Sequence, residues 1–184
     1  MAVQQITAQL VGFVAMALCI GCFQCKSKNM LLALQLAGNA VFILHYVLLG
    51  AYSGCASLIL LVGSNLMLLF RIKGKSWAQG WGWRWIFSIL TVLVGIATWK
   101  NIFSLLPCAA SVAFILTNWT CDGKVMRLGK LLLVGPGWIA YNIYVQSWSG
   151  IISEGIGMCS ALIALCRYER RGREQPEKET EPHE

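Results

Sequence analysis

Trp83-Arg84-Trp85-Ile86-Phe87-Ser88-Ile89-Leu90-Thr91-Val92-Leu93-Val94-Gly95-Ile96-Ala97-Thr98-Trp99 is a short apolar run with one cation at its edge. A membrane-crossing helix needs about 20 mostly apolar residues, with a range of about 17–25, so this run sits at the lower limit. Whether it crosses decides on which side of a bilayer everything after it lies. Trp77, Trp81, Trp83 and Trp85 crowd one end and Trp99 marks the other, as aromatic anchors do at the two membrane surfaces. The charges give a second reading. With this run counted as a span, 14 of the 15 Lys and Arg residues fall on one side. Without it, the basic residues of the second half would lie on the wrong face. The run therefore spans.

Six further segments read as spans, at residues 6–23, 30–49, 54–70, 103–120, 128–146 and 150–167. Lys26 and Lys28 follow the first span, and Arg71, Lys73, Lys75 and Arg84 follow the third. Lys124, Arg127 and Lys130 follow the fifth, and five more cations from Arg167 to Lys178 follow the seventh. Only Lys100 lies opposite. By the positive-inside rule the N-terminus is outside and the C-terminus cytoplasmic. The fold class is thus an all-α integral membrane protein of seven helices.

Composition agrees. The chain is 57% hydrophobic and 12% charged, against about 25% charged in soluble domains. Six of the eight acids lie in the last sixteen residues, leaving only Asp122 and Glu154 before them. Lipid is the natural solvent for such a body. The net charge of +7 reads as orientation during insertion and contact with lipid headgroups, with no nucleic-acid partner. Residues 169–184 hold nothing worth burying and read as a disordered cytoplasmic tail. Met1 to Gln9 carries no cation ahead of the apolar run, so the first span is expected to stay uncleaved. Eight cysteines include Cys19, Cys22 and Cys25 at about helical spacing without a local fourth ligand. They read as small, soft helix residues, so neither a metal nor a cofactor is expected. No Ser–His or paired-carboxylate constellation and no nucleotide loop is present, and the chain is not expected to be an enzyme.

Sliding the chain along itself by 96 residues aligns 10–71 with 106–167 without a gap, giving 15 identities in 62 pairs. Matched pairs include Lys28/Lys124, Ser53/Ser149, Gly54/Gly150 and Arg71/Arg167. A duplicated three-helix unit follows. An odd number of spans would invert the copy, and the fourth helix restores its direction. The organisation is three plus one plus three: a first repeat at 6–71, a linker with the fourth helix at 72–102, and a second repeat at 103–168.

This layout resembles that of the SWEET and PQ-loop transporters. More closely, the chain up to about Arg170 resembles the YgjV family of bacterial inner-membrane proteins. That resemblance is carried by His45-Tyr46-Val47-Leu48-Leu49-Gly50, Leu105-Leu106-Pro107, Trp138-Ile139-Ala140-Tyr141-Asn142 and Ser149-Gly150-Ile151-Ile152-Ser153-Glu154-Gly155. It implies a bacterial inner-membrane location and a transporter-like fold. The Pro-Gln pair of PQ-loop proteins is absent from both units, and Pro107 has Val11 at the matching place.

Substrate sites in repeat-built transporters lie near the midplane where corresponding helices are broken. The sixth span holds Gly135-Pro136-Gly137 at its centre, and Asn39 stands at the place matching Gly135. The triplet reads either as a hinge beside a cavity or as a packing kink. Glu154 is the only carboxylate within a span, and a charge there costs about 2.5–3.5 kcal/mol on insertion scales. Two readings stay open. One is an outward-side polar cavity lined by His45, Trp138, Tyr141, Asn142 and Glu154, with Asn39 deeper. The other is a structural Glu154–His45 pair that locks two helices. SWEET-type carriers use an Asn-Gly-Ile-Gly run for a sugar contact, and the similar run Glu154-Gly155-Ile156-Gly157 places Glu154 at that position by resemblance. Gln35 and Asn65 read as interhelical glue. The expected function is carriage or facilitated passage of a small polar solute, a sugar as first guess; the alternative is a non-transporting scaffold or lipid-contact protein. Two bundles in one chain remove the need to dimerise, and the oligomeric state stays open.

Overall fold

The computed structural model describes residues 2–21 and 28–178, with side chains at 3–21 and 34–168, and every regular element there is helical. The helices are α1 (Ala2–Gly21), α2 (Lys28–Leu48), α3 (Tyr52–Ile72), α4 (Gly82–Ala97), α5 (Leu105–Asn118), α6 (Gly123–Gly129), α7 (Gly135–Tyr144) and α8 (Trp148–Lys178). Lys130–Val134 is wound as π-helix and joins α6 to α7, so 123–144 is one rod and the rods number seven. Asp122 starts that rod as its N-cap, its Oδ1 accepting from the Lys124 and Val125 backbone N–H groups at 2.7 and 3.2 Å.

Val3–Gly21, Tyr52–Ile72 and Trp148–Tyr168 are each long and apolar enough to cross a membrane, and Leu34–Leu48, Gly82–Ala97 and Ile102–Asn118 are shorter apolar helices. At about 1.5 Å per residue, the 16 residues of α4 cover about 24 Å. The tryptophans flanking them extend that reach into the headgroup layers.

Side-chain placement inverts the pattern of a water-soluble protein. Ile6, Leu10 and Val14 of α1, Ile89, Leu93 and Ile96 of α4, and Leu162 and Ile163 of α8 point outward and are exposed. Inside, many small or polar residues are buried, among them Ser53, Ser57, Ser64, Ala110, Ser111 and Ser149, beside a few large ones such as Trp119, Trp138 and Tyr141. Large apolar groups outside and small groups between helices are what lipid demands, because tails solvate leucine as well as a core does.

The rods form a ring. α1 packs on α2 and α8, α2 on α3, α3 on α5, α5 on the π stretch and α7, and α7 on α8. α4 stands outside it, packed on α3 and α5. Its Gly95 has no side chain to hold it off Cys108, whose thiol donates to the Thr91 carbonyl at 3.2 Å.

The turns after α2 and α7 share one hydrogen-bond pattern. Ala51 N–H donates to Tyr46 O at 2.9 Å, and Ser147 N–H to Asn142 O at 2.8 Å. Both pass through the left-handed region, at Gly50 (φ 68°) and Gln146 (φ 57°).

Two sequence expectations are changed. The sixth rod starts at Gly123 and not at 128, so Lys124 and Arg127, read as loop residues, belong to its first turns. α8 stays helical to Lys178, ten residues into the segment read as disordered tail. Glu, Arg, Gln and Lys are good helix formers, and extending an existing helix avoids the cost of nucleation. The remainder of that tail, 179–184, lies outside the described residues, as do Cys22 and Cys25.

Candidate functional site

The end of the ring that carries the α2–α3 and α7–α8 turns is closed by a layer of buried hydrogen bonds. His45, fully buried on α2, places Nδ1 2.6 Å from the Ala8 carbonyl of α1 and Nε2 2.7 Å from Ser147 Oγ. A carbonyl only accepts, so Nδ1 carries the proton and Nε2 accepts from the serine hydroxyl. Ser147 Oγ in turn accepts from Gly150 N–H at 3.2 Å. Tyr46 donates to Asn142 Oδ1 at 2.8 Å, linking α2 to α7. Tyr141 Oη accepts from Gly54 N–H at 3.0 Å and shares a second bond of 3.0 Å with Ser53 Oγ, linking α7 to α3. Gly54 permits this: a β-carbon there would stand 2.5 Å from the Tyr141 ring. Tyr46 also stacks on Trp138 with ring centres 5.9 Å apart.

Beneath that layer lies a cavity of about 170 Å³ at the centre of the ring. Asn39, Phe42 and Tyr46 of α2, Leu58 and Asn65 of α3, and Phe114 of α5 line one side. Lys130, Trp138 and Asn142 of the sixth rod and Ser153 and Glu154 of α8 line the other, and Cys19 adds α1. α4 contributes nothing. The walls mix aromatic faces with amide, hydroxyl and charged groups, the pattern of a site for a small polar molecule.

Two features give the cavity its chemistry. Lys130 Nζ and Glu154 Oε2 form an ion pair at 2.5 Å, the one found among the described residues, with side chains 24% and 21% exposed. The second is Asn142: its Oδ1 is held by Tyr46, while its Nδ2 is buried with no partner in the protein. An unmet buried donor costs about 1–3 kcal/mol.

Of the residues singled out from sequence, Asn39, Trp138, Asn142 and Glu154 meet on this cavity. His45 and Tyr141 do not line it; both are spent on the closing layer behind Tyr46 and Asn142. No Glu154–His45 pair forms, because Lys130 takes the carboxylate and Ser147 takes the imidazole. Gln35 and Asn65, read as helix glue, are wall residues. Gly135-Pro136-Gly137 does not interrupt the rod. The irregularity falls just ahead of it, and Gly135 and Gly137 let Met158 and Ala110 approach closely. Lys130 was missed as a partner for Glu154 because it was counted with the basic residues that follow the fifth span; its one sequence signal was its place two residues inside the sixth.

A family model for bacterial inner membrane proteins, Imp-YgjV, matches residues 6–172. The chain is also similar to inner membrane protein YgjV of Escherichia coli (strain K12), 26% identical over 169 residues that cover 90% of this chain and 87% of the relative. No solved structure matches it.

Proposed function

The chain belongs to the Imp-YgjV family of bacterial inner membrane proteins, and from there we propose that it carries a small polar solute across the inner membrane through the cavity at the centre of its helix ring. The observation that carries this reading is that six of the seven rods each give wall residues to one polar space, while α4 gives none. Packing alone would fill that space. Burying amides, a lysine and a glutamate around a void costs free energy that an apolar centre would not.

In this reading the molecule is of the SWEET and PQ-loop kind, two like-oriented three-helix units bridged by α4, with the N-terminus outside and the C-terminus cytoplasmic. Support comes from the matching turns 96 residues apart, from Tyr46 and Asn142, which are register mates and bond to each other, and from the position of α4 outside the ring. Mates meet in this way only on or near an axis relating the two units. The His45–Tyr46–Tyr141–Asn142 layer then closes the outer end, and the cavity belongs to an inward-facing state. At about 170 Å³ the space is below the roughly 300–1,000 Å³ of drug-sized sites, which sets the solute at metabolite size.

The test is uptake into proteoliposomes across a panel of neutral, zwitterionic, anionic and cationic metabolites. Saturable flux above empty vesicles is expected for at least one class. Ser153→Phe, which fills the cavity from α8, is expected to remove it while the protein still folds. Absence of flux for every class would leave the scaffold reading in its place.

A further inference from the structure

We propose that the solute is a small zwitterion, its anionic group taken by Lys130 and its cationic group by Glu154. This rests on the carrier reading above and narrows it, since a neutral sugar needs neither charge.

The argument starts with the shortage of acids. Only Asp122 and Glu154 precede residue 169, and Asp122 is committed to capping α6. The single embedded carboxylate is thus matched by a single embedded ammonium, and the cavity wall is locally neutral. A pair of this kind is poor evidence of a structural need, because an apolar pair of similar volume stabilises as well or better. The chain contains the comparison. At the positions 96 residues earlier, matching Lys130 and Glu154, stand Leu34 and Leu58. One unit is built with two leucines where the other has the ion pair, so the three-helix unit does not require it.

Next comes what a solute can do to such a pair. An anion that binds Lys130 leaves Glu154 charged and unpaired in a low-dielectric space, and a cation strands Lys130 in the same way. Either outcome is strongly unfavourable. A solute carrying both charges replaces both partners at once and leaves no orphan. Both side chains face the cavity, each between a fifth and a quarter exposed, so a solute can reach them. The aromatic side chains of Phe42 and Trp138, also on the wall, suit a cationic group. The pair also has a use when the cavity is empty, since each charge then neutralises the other and the unloaded carrier stays stable in lipid.

The experiment is thermal stabilisation and proteoliposome counterflow on the full-length protein with glycine, L-alanine and L-serine, set against acetate, ethylammonium and glucose. The three zwitterions are expected to stabilise and exchange, while acetate and ethylammonium, alone or mixed, do neither. Lys130→Met and Glu154→Gln each strand a charge and are liable to fold poorly. The decisive variant is therefore the double K130M/E154Q, which strands none. It is expected to fold and to lose at least about tenfold in apparent affinity for the zwitterions, as loss of charge-assisted hydrogen bonds implies. Stabilisation by glucose but by no zwitterion, or an unchanged zwitterion response in the double variant, overturns this inference and leaves the carrier reading standing. No response to any of the six compounds removes both.

Discussion

Gly54 and Gly155 both lie inside helices, yet their surroundings give opposite expectations. At Gly54 a methyl group would press into the Tyr141 ring, which is pinned by bonds to Ser53 and to the Gly54 backbone itself. Gly54→Ala is expected to destabilise by about 1–3 kcal/mol, the usual cost of overpacking a filled interior. A methyl at Gly155 meets nothing within 4 Å, and Gly155→Ala should stabilise by up to about 1 kcal/mol through helix propensity. Thermal unfolding in one detergent measures both, and a shift of the same sign in the two variants would contradict the packing described. Tyr46→Phe removes the donor that holds Asn142 Oδ1 and should cost about 1–3 kcal/mol if no water replaces it. Reading such roles from sequence has a limit that Tyr141 illustrates. A tyrosine mid-span looks equally suited to a cavity wall or to a buried bond, and only the glycine facing it, 87 residues away, settles which.

The element that sets the cavity is the rod formed by α6, the π stretch and α7. A π-bulge is one residue of excess wound into an α-helix, so removing one residue there restores a regular helix and keeps both flanks on their faces. Deletion of Leu132, which is 69% exposed toward lipid, is therefore expected to leave a folded, monodisperse protein. Deletion of Ile59, also exposed but in the unbroken α3, rotates all that follows by about 100° and should abolish folding. Size-exclusion profiles and yield of the two deletions check this; equal tolerance would mean that the π stretch stores no excess residue. The same rod shows why the site was only partly legible. Apolar length and charge placement revealed the helices, because hydropathy acts residue by residue. Gly135-Pro136-Gly137 announced an irregular helix, but the irregularity was displaced upstream, where the backbone absorbs it at Lys130–Val134. Lys130, the first residue of that stretch, is the partner that Glu154 takes in place of His45. Pairings across a ring of helices depend on rotation about each axis, and no local pattern encodes it.

For the molecule as a whole, the proposed function depends on α4 crossing the membrane. In the proposed two-unit reading α4, outside the ring and absent from the cavity wall, reverses direction so that the second unit enters the bilayer as the first did. The cations give that reading a sign: Arg71, Lys73 and Lys75 come before α4 in the chain, and Lys100 alone comes between α4 and α5. Fusions truncated at Lys75 and at Asn101 separate the possibilities. A green fluorescent reporter joined after Lys75 is expected to fluoresce in the cytosol, whereas alkaline phosphatase joined after Asn101 is expected to be active outside. Both reporters reporting the same compartment would make α4 a surface helix and turn the second unit over. The Tyr46–Asn142 bond would then have to join helices entering from opposite faces, and Lys124, Arg127 and the five cations from Arg167 to Lys178 would all lie outside against the charge bias of insertion.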